Sequence, residues 1–232
     1  MTRRAMLFLG MGASLIASHA CADAPAVPLA VVATRNAADT LRAMLARGAA
    51  ADERDQDGLT PLMWAARFGA VDAMAALLDA GADPNGRDAR NRWTPLLHAI
   101  HRQQSAAVRL LLAHGADPNA ASPGNVTPLM MAADDSDPST VRLLLAHGAD
   151  ANALGPGGRT ALTQAVSGGA LTDLTDRPLL GGCHPDTVRA LIEHDPALRL
   201  PDNFAGRQAL WWARFHRCDE VLALVGGSRA QR

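Results

Sequence analysis

The chain has 232 residues, enough for one domain or one repeat array with a sizeable hydrophobic core. Apolar residues make up 48% and charged residues 19%, a composition typical of a globular protein and not of a disordered chain. The formal net charge of −1 at pH 7 gives no general attraction to nucleic acid or to an anionic membrane, so we expect neither as a partner.

The N-terminus has the pattern of a secretory signal peptide. A basic pair at residues 3–4 precedes an apolar run over residues 5–18, and Ala20-Cys21-Ala22 offers a small-x-small cleavage site. The apolar run is too short to cross a bilayer, which takes about 20 residues. We therefore expect residues 1–22 to be removed near Ala22, residues 23–232 to form the mature domain, and the protein to be periplasmic or secreted.

Four alternatives stay open for this segment. Cleavage after Ala24 is one, although it would leave Pro25 at the new N-terminus. The start Thr-Arg-Arg-Ala-Met-Leu resembles a twin-arginine export signal, with Met6 where that family prefers Phe, so the export route is open. Cys21 is a candidate lipoprotein cysteine with a poor approach sequence. The fourth alternative is that the segment is not a signal peptide and forms a buried N-terminal helix of the array.

A stretch of about 33 residues recurs along most of the remaining chain. Its first landmark is Thr-Pro-Leu, or Thr-Ala-Leu in the last case, beginning at Thr60, Thr94, Thr127 and Thr160. Its second landmark is Gly-Ala-Asp, followed two residues later by Asn and beginning at Gly81, Gly115 and Gly148. Two landmarks that recur in phase indicate a repeat architecture.

Each repeat predicts two helices. Threonine is a good N-cap, and proline is favoured in the first turn, so a short first helix should cover Pro61–Phe68 and its equivalents. A second helix with an apolar face, such as Val108, Leu111 and Leu112, should end at the following glycine. Paired alanines in the first helix allow the second one to approach closely.

This pattern resembles the ankyrin repeat family over roughly residues 27–225. The resemblance implies an all-α solenoid of about six helix-turn-helix units, with capping end repeats and one insertion in the fifth unit. The units are expected at residues 27–59, 60–93, 94–126, 127–159, 160–207 and 208–228. The insertion, Gly169–His184, falls between the two helices of the fifth unit, where a loop of that length is either functional or disordered.

One departure from the family concerns the residue after Thr-Pro-Leu. The family usually has a histidine there, which ties neighbouring repeats together by hydrogen bonds. This chain has Met63, Leu97, Met130 and Thr163 instead. We therefore expect apolar packing largely to replace the polar ladder between repeats.

Two cysteines remain once the signal peptide is removed, Cys183 and Cys218, and an exported compartment favours disulfides. Cys183 closes the insertion just before a second helix, and Cys218 lies in the matching turn of the last unit. Such turns lie roughly 10 Å apart in stacked neighbours, slightly beyond the bridging reach of about 7 Å. The extra residues before Cys183 supply the slack, so we predict a Cys183–Cys218 disulfide.

Other chemically suggestive residues are interpreted as structural. His98 and His101 have a spacing that can chelate a metal, but no cysteine or carboxylate joins them within their turn. The acidic run Asp134–Asp137 lacks the glycine and glutamate of a calcium loop. No Ser/His/Asp or Cys/His arrangement has a recognisable nucleophile elbow. We therefore predict no enzyme activity, no cofactor and no metal.

The tryptophans divide into two groups. Trp64, Trp211 and Trp212 lie inside first helices in phase with one another, which favours packing in the core. Trp93 directly precedes Thr94 in a turn, where a core position is not required. We interpret Trp93 as a contact to a partner; the alternative is that it packs on its neighbouring turn and stabilises the stack.

The ankyrin resemblance implies that the partner is another protein. It also places the contacts on a concave face, formed by the turn tips before Thr-Pro-Leu and by the residues that follow the two alanines. In this sequence those positions are Gln56, Asp57, Leu59, Arg67, Phe68, Trp93, His101, Arg102, Val126, Asp134, Asp135, Arg159, Phe204, Arg207 and His216. Aromatic residues and arginines are enriched in binding hot spots.

Two functions stay open for an exported monomer of this kind. It either binds and shields a protein, as an adaptor, an inhibitor or an immunity partner for a toxin, or it is an accessory factor for a periplasmic redox or oxidative-stress enzyme. The two differ in the partner, which the sequence does not identify.

Overall fold

The computed structural model describes residues 28–167 and 183–226. The predicted signal peptide, residues 1–22, and residues 169–182 of the predicted insertion lie outside this part of the chain. Within it, the helices in chain order are α1 (Leu29–Thr34), α2 (Ala38–Ala46), α3 (Pro61–Phe68), α4 (Val71–Asp79), α5 (Pro95–His101), α6 (Ser105–Ala113), α7 (Pro128–Asp134), α8 (Pro138–Ala146), α9 (Ala161–Ser167), α10 (Pro185–His194), α11 (Phe204–Phe215) and α12 (Asp219–Gly226), with a 3-10 turn at Pro156–Gly158. The predicted all-α class is confirmed, and none of these helices is long and apolar enough to cross a membrane.

The helices form two layers. Odd-numbered helices contact one another in sequence from α1 to α11, and even-numbered helices do the same from α2 to α12. Each odd helix also contacts the even helix that follows it. The described chain is therefore a stack of six helix pairs, with an inner layer of odd helices and an outer layer of even ones.

The core lies between the layers. Each layer contributes a repeating leucine that is fully buried, at Leu62, Leu96, Leu129, Leu77, Leu111 and Leu144. The paired alanines of α3, Ala65 and Ala66, are also fully buried, which lets α4 pack closely against α3. Because each pair packs only on its neighbours, the stability of the stack depends on contacts between adjacent repeats.

Threonine N-caps start the inner helices as the sequence predicts. Each side-chain oxygen accepts a hydrogen bond from the backbone N–H three residues later at 3.2–3.3 Å, in Thr60, Thr94, Thr127 and Thr160. The first three are followed by proline, whose missing N–H costs nothing in a first turn.

Glycines end the outer helices, also as predicted. Gly81, Gly115 and Gly148 adopt φ values of 87°, 82° and 86°, in the left-handed region that favours glycine. The backbone N–H of Ala82 then donates to the oxygen of Leu77 at 3.0 Å. This bond is the long one of the Schellman motif, and it satisfies a carbonyl at the helix end.

The expectation that apolar packing largely replaces the polar ladder was only half right. Met63, Leu97 and Met130 are buried in the stack, and Thr163 is fully buried while bonded within its own repeat to Thr160. Two ladders of hydrogen bonds nevertheless join neighbouring repeats, one through asparagine and one through arginine side chains. The contacts between repeats are therefore both apolar and polar.

The first ladder starts from the asparagine of the Gly-Ala-Asp-x-Asn landmark. The side-chain oxygen of Asn85 accepts the backbone N–H of Asp117 at 2.8 Å, and its amide nitrogen donates to the oxygen of Gly115 at 3.0 Å. Asn119 makes the same two bonds to the next repeat at the same distances. One side chain thus satisfies both a donor and an acceptor of its neighbour.

The second ladder joins the turns. One guanidinium nitrogen of Arg54 donates to the oxygens of Gly58 and Arg87, at 2.7 and 2.8 Å. Arg87 repeats the arrangement with the oxygens of Arg92 and Ala121, at 2.9 and 2.7 Å. These two arginines therefore fix the spacing of successive turns and are not available as contact residues.

The last inner helix differs from the predicted unit boundary near Gln208. Helix α11 begins at Phe204, because the side chain of Asn203 caps it by accepting the N–H of Gly206 at 2.9 Å. At its other end the N–H of Cys218 donates to the oxygen of Ala213, the same bond that follows α3 in the second unit. The repeat register is kept, and α11 has gained one turn at its start.

The predicted disulfide is present. Cys183 and Cys218 are bonded, with 5.5 Å between their Cα atoms. They precede α10 and α12, which are neighbours in the outer layer. Cys218 is buried and Cys183 is exposed. The disulfide therefore links the last repeat to the fifth.

Candidate functional site on the concave face

The turns before the inner helices share one geometry. A backbone N–H donates across each turn to an oxygen four or five residues later, in the pairs Asp55–Leu59, Asp88–Trp93, Ser122–Val126 and Gly155–Arg159, at 2.8–3.0 Å. The Asp88–Trp93 turn, before α5, is one residue longer than the other three. These turns and the C-terminal ends of the inner helices lie on one side of the stack, the side that the ankyrin resemblance implies is concave; it is called the concave face below.

The second unit carries an aromatic cluster at this face. The indole N–H of Trp64 donates to the carboxylate of Asp55 at 2.6 Å, which holds the ring beside the turn. Phe68 stacks on Trp64 with ring centroids 6.0 Å apart, and the Arg67 guanidinium lies 5.6 Å from the Trp64 ring. Phe68 is 58% exposed, so a large apolar ring faces solvent at the end of α3.

A surface groove of about 610 Å³ lies beside this cluster. It is lined by Trp64 and Phe68, by Gln56 and Asp57 of the turn, and by Val31 of α1, among others. Aromatic walls and a polar edge give it the mixed character of a protein-binding surface.

A second cluster, in α5 and the turn before it, is built around the buried carboxylate of Asp88. The Nε2 atom of His98 lies 2.9 Å from a carboxylate oxygen of Asp88, and both side chains are buried. The other oxygen of Asp88 accepts the backbone N–H groups of Asn91 and Arg92 at 2.6 and 3.0 Å. Asp88 therefore fixes the turn that carries Trp93 and orients His98 beneath it.

Trp93 packs on both histidines of its unit. Its ring meets His98 and His101 edge to face, with centroids 5.4 and 5.1 Å apart. The Trp93 side chain is half-buried, while His101 is exposed at the end of α5. Trp93 thus has a structural contact with its own repeat and a surface left for a partner.

The protonation of His98 follows from its surroundings. Burial lowers the pKa of His98 below its usual value, and the bond to Asp88, which acts to raise it, does not outweigh burial. The nearby Arg67 and His101 charges lower the pKa further. A neutral His98 with its proton on Nε2 donates a hydrogen bond to Asp88. His98 therefore helps to hold the Asp88 carboxylate that fixes the turn.

The predicted contact residues differ in how far they reach the surface. Gln56, Asp57, Phe68, His101, Arg102, Phe204 and Arg207 are exposed, and Arg67, Trp93, Val126, Asp134, Asp135, Arg159 and His216 are half-buried. Leu59 is 7% exposed, so its proposed contact with a partner is wrong. Its N–H donates to the Asp55 carboxylate, which turns the side chain inward.

Phe204 needs a second correction. The sequence placed it at a turn tip, whereas it is the first residue of α11. It is nevertheless 70% exposed. Phe204 is therefore a surface residue as predicted, but it belongs to a helix and not to a turn.

Sequence reasoning missed two aromatic residues on α11. Trp211, assigned to the core, is 57% exposed, and Phe215 is 66% exposed and stacks on it at 5.2 Å. The small residues Ala205, Ala209 and Ala213 are buried instead, at a spacing of four. That spacing was the available signal, because it assigns the opposite side of the helix to Trp211 and Phe215.

Two models of one protein family match the sequence. A model described as ankyrin repeats (3 copies) matches residues 29–122, and one described as ankyrin repeats (many copies) matches residues 111–165, so together they cover more than half of the chain. The chain belongs to the ankyrin repeat family. Ankyrin repeats generally mediate protein–protein interactions, and ankyrin repeat proteins are typically interaction modules and not enzymes. A comparison with curated proteins found no match.

The ankyrin stack continues beyond the matched residues. Helices α10 to α12 lie after residue 165, yet α11 packs on α9 and α12 packs on α10 in the same two layers. The last repeat keeps the ring pair of the second unit as well, since Trp212 stacks on His216 at 4.6 Å as Trp64 stacks on Phe68. The concave face therefore includes both ends of the described stack.

Proposed function

We propose that this ankyrin protein is exported and binds a partner protein through its concave face, as an adaptor, an inhibitor or an immunity-type protein. One observation carries the proposal: in the described residues, the exposed large apolar side chains belong to the inner layer or its turns. They are Val31, Phe68, Leu154, Phe204, Trp211 and Phe215.

The outer layer serves as an internal comparison. In the described outer helices the large apolar residues, such as Leu78, Leu110 and Leu143, are all at least partly covered, and only small ones such as Ala106 are exposed. Single exposed apolar residues are normal on a protein surface, but a one-sided distribution needs a reason. Contact with a protein on the inner side supplies that reason, because aromatic side chains contribute much of the binding energy at interfaces.

Export rests on the N-terminal pattern and is supported by the cysteines. A disulfide such as Cys183–Cys218 persists in oxidising compartments and is rare in the cytosol. We expect the mature protein to begin at or near Asp23 and to fractionate outside the cytoplasm as a monomer. N-terminal sequencing of the stable protein tests this, and an intact Met1 or Thr2 contradicts it.

Site-specific crosslinking tests the binding face. A photoreactive amino acid replaces Phe68 on the concave face in one version of the exported protein and Arg109, exposed on α6 of the outer layer, in the other. We expect Phe68 to capture one discrete protein and Arg109 to capture none or many equally. Capture from Arg109 alone contradicts the proposal, and a captured redox enzyme favours the accessory role.

A further inference from the structure

The second and third units carry arginines whose side chains have no ion pair or hydrogen bond to the rest of the described chain. They are Arg67 at the end of α3, Arg92 in the turn before α5 and Arg102 after α5. The Arg67 guanidinium has one cation–π contact, with the Trp64 ring at 5.6 Å. Each guanidinium carries five N–H donors, so this face presents many hydrogen-bond donors to solvent.

The acidic residues around them are already engaged. Asp88 is buried and bonded to His98, and Asp55 accepts from Trp64 and from the backbone of its turn. Asp57 pairs with Arg90 at 3.4 Å. These three aspartates keep their charge, but the four arginines of this region, Arg67, Arg90, Arg92 and Arg102, outnumber them. The donors of Arg67, Arg92 and Arg102 have no acceptor among the described residues, so this face has a local excess of positive charge on a chain whose net charge is −1.

Trp93 is linked to each of these arginines through the chain or through its histidine contacts. Arg92 precedes it in the turn, and Arg102 follows His101, whose ring contacts Trp93. Arg67 lies close enough for its charge to act on His98, the other ring in contact with Trp93. Two of the three arginines therefore neighbour Trp93 or its contact His101 along the chain, and the third acts electrostatically on its other contact, His98.

We propose that this half of the concave face binds an acidic segment of the partner protein, with carboxylates on Arg67, Arg92 and Arg102 and an apolar side chain against Trp93. This inference rests on the proposed function and specifies the chemistry of the partner. Arginine pairs with carboxylates through two parallel hydrogen bonds, which gives geometric selectivity beyond charge alone.

A charge-reversal experiment with a matched control tests the inference. The test variant carries Arg67→Glu, Arg92→Glu and Arg102→Glu. The control variant carries Arg47→Glu, Arg109→Glu and Arg142→Glu, three exposed arginines at or in the outer helices, so both variants change the net charge equally. The probes are a labelled 12-residue peptide of aspartate, glutamate and leucine, its lysine counterpart, and single-stranded DNA of the same length.

We expect the wild type to bind the acidic peptide and not the lysine peptide, and the test variant to bind it at least tenfold more weakly than the control variant. Equal losses in both variants overturn the inference, because they indicate unspecific attraction. Preference for DNA over the acidic peptide also overturns it. If a protein captured through Phe68 binds both variants equally well, the concave-face function stands and the acidic-segment inference is wrong.

Discussion

The side-chain oxygen of Asn85 accepts the backbone N–H of Asp117, a residue of the next repeat, at 2.8 Å. The amide nitrogen of the same side chain donates to the backbone oxygen of Gly115, two residues before Asp117. Such a bridge matters more in a repeat stack than in a globular core, because each repeat is stabilised only by its neighbours. Asn85 and Asn119 are therefore expected to control how strongly the middle repeats are coupled.

Removing either bridge should destabilise the stack. We expect Asn85→Ala and Asn119→Ala each to lower the free energy of unfolding by about 1 kcal/mol, the usual scale for a lost hydrogen bond. Asn152 is the matched control, since it has the same place in its repeat but no side-chain hydrogen bond to the described residues. Asn152→Ala should stay within about 0.5 kcal/mol of the wild type. Urea titration measures all three, and equal effects would show that the bridges contribute nothing.

The buried His98 predicts a loss of stability on mild acidification. Its pKa is lowered in the folded protein by burial, so the unfolded chain binds the proton more readily, beginning near the ordinary pKa of about 6.5. Stability is therefore full above that pH and decreases as the pH falls below it. His184, whose pKa burial also lowers, contributes in the same direction.

Urea unfolding at pH 7.5 and pH 5.5 isolates the part due to His98. His98→Gln removes the titrating group, and we expect this variant to lose less stability between the two pH values than the wild type. His114→Gln changes an exposed histidine and serves as the control. If His98→Gln and the wild type lose the same amount, His98 is not the group responsible.

Asp137 is expected to be a stabilising helix cap in the fourth unit. Its carboxylate accepts the N–H groups of Ser139 and Thr140 at 3.0 and 3.1 Å, at the start of α8. Asp137→Ala should cost about 1 kcal/mol, while Asp137→Asn, which keeps an acceptor, should cost much less. Thermal unfolding of the pair measures the difference, and similar losses for Asn and Ala would argue against capping.

The Asp137 cap also has a pH signature. Burial acts to raise the pKa of Asp137, but the bonds from Ser139 and Thr140 outweigh it and hold the pKa below its usual value. The stabilisation is complete above the ordinary carboxyl pKa and is lost as the pH falls through the lower folded value. The gap between wild type and Asp137→Ala should therefore narrow in strong acid.

The disulfide should stabilise the last two repeats. It closes a loop of 35 residues, which implies roughly 3–4 kcal/mol in the chain-entropy model. Cys183→Ser removes the bond at its exposed end and leaves Cys218 packed, so we expect this variant and the reduced wild type to unfold α11 and α12 at a similar, lower denaturant concentration. Two accessible thiols in the folded, exported protein would refute the bond.

Local signals explain what the sequence could predict. The first helix of the second unit was expected at Pro61–Phe68 and occupies those residues. A threonine cap and a proline start it and a glycine ends it, and each of these residues acts only on the helix turn next to it. The cysteine pair was also predictable, since two cysteines in matching turns of adjacent repeats leave one intramolecular pairing. Both inferences need only the repeat period and short-range chemistry.

Tertiary packing explains what the sequence did not predict. Trp211 and Trp212 are adjacent, so they cannot face the same side of a helix, and the packing of Ala205, Ala209 and Ala213 into the stack leaves Trp211 exposed. Leu59 looked like a turn tip, yet the Asp55 bond turns it inward. The arginine ladder could not be predicted because the chain has arginine and no lysine, so residue type did not separate structural arginines from surface ones.

Trp93 is predicted to be a binding hot spot with a secondary role in packing. Its ring contacts His98 and His101 and remains half exposed. Trp93→Ala should weaken partner binding by about 2 kcal/mol or more, roughly thirtyfold, since buried tryptophans dominate many interfaces. Replacing Asp134 and Asp135 with arginine should act mainly on the association rate, and added salt should relieve the effect.

The alternative for Trp93 is that it only stabilises the turn, and the two roles separate when melting temperature and affinity are measured on the same variants. Trp93→Phe keeps a ring against His98 and His101, so it should restore the melting temperature more fully than the affinity if the indole contacts the partner. Trp211→Ala tests a second exposed tryptophan that has no such turn contact. A large drop in melting temperature for Trp93→Ala, with affinity unchanged at low temperature, would mean that Trp93 is structural and that the partner binds elsewhere on the stack.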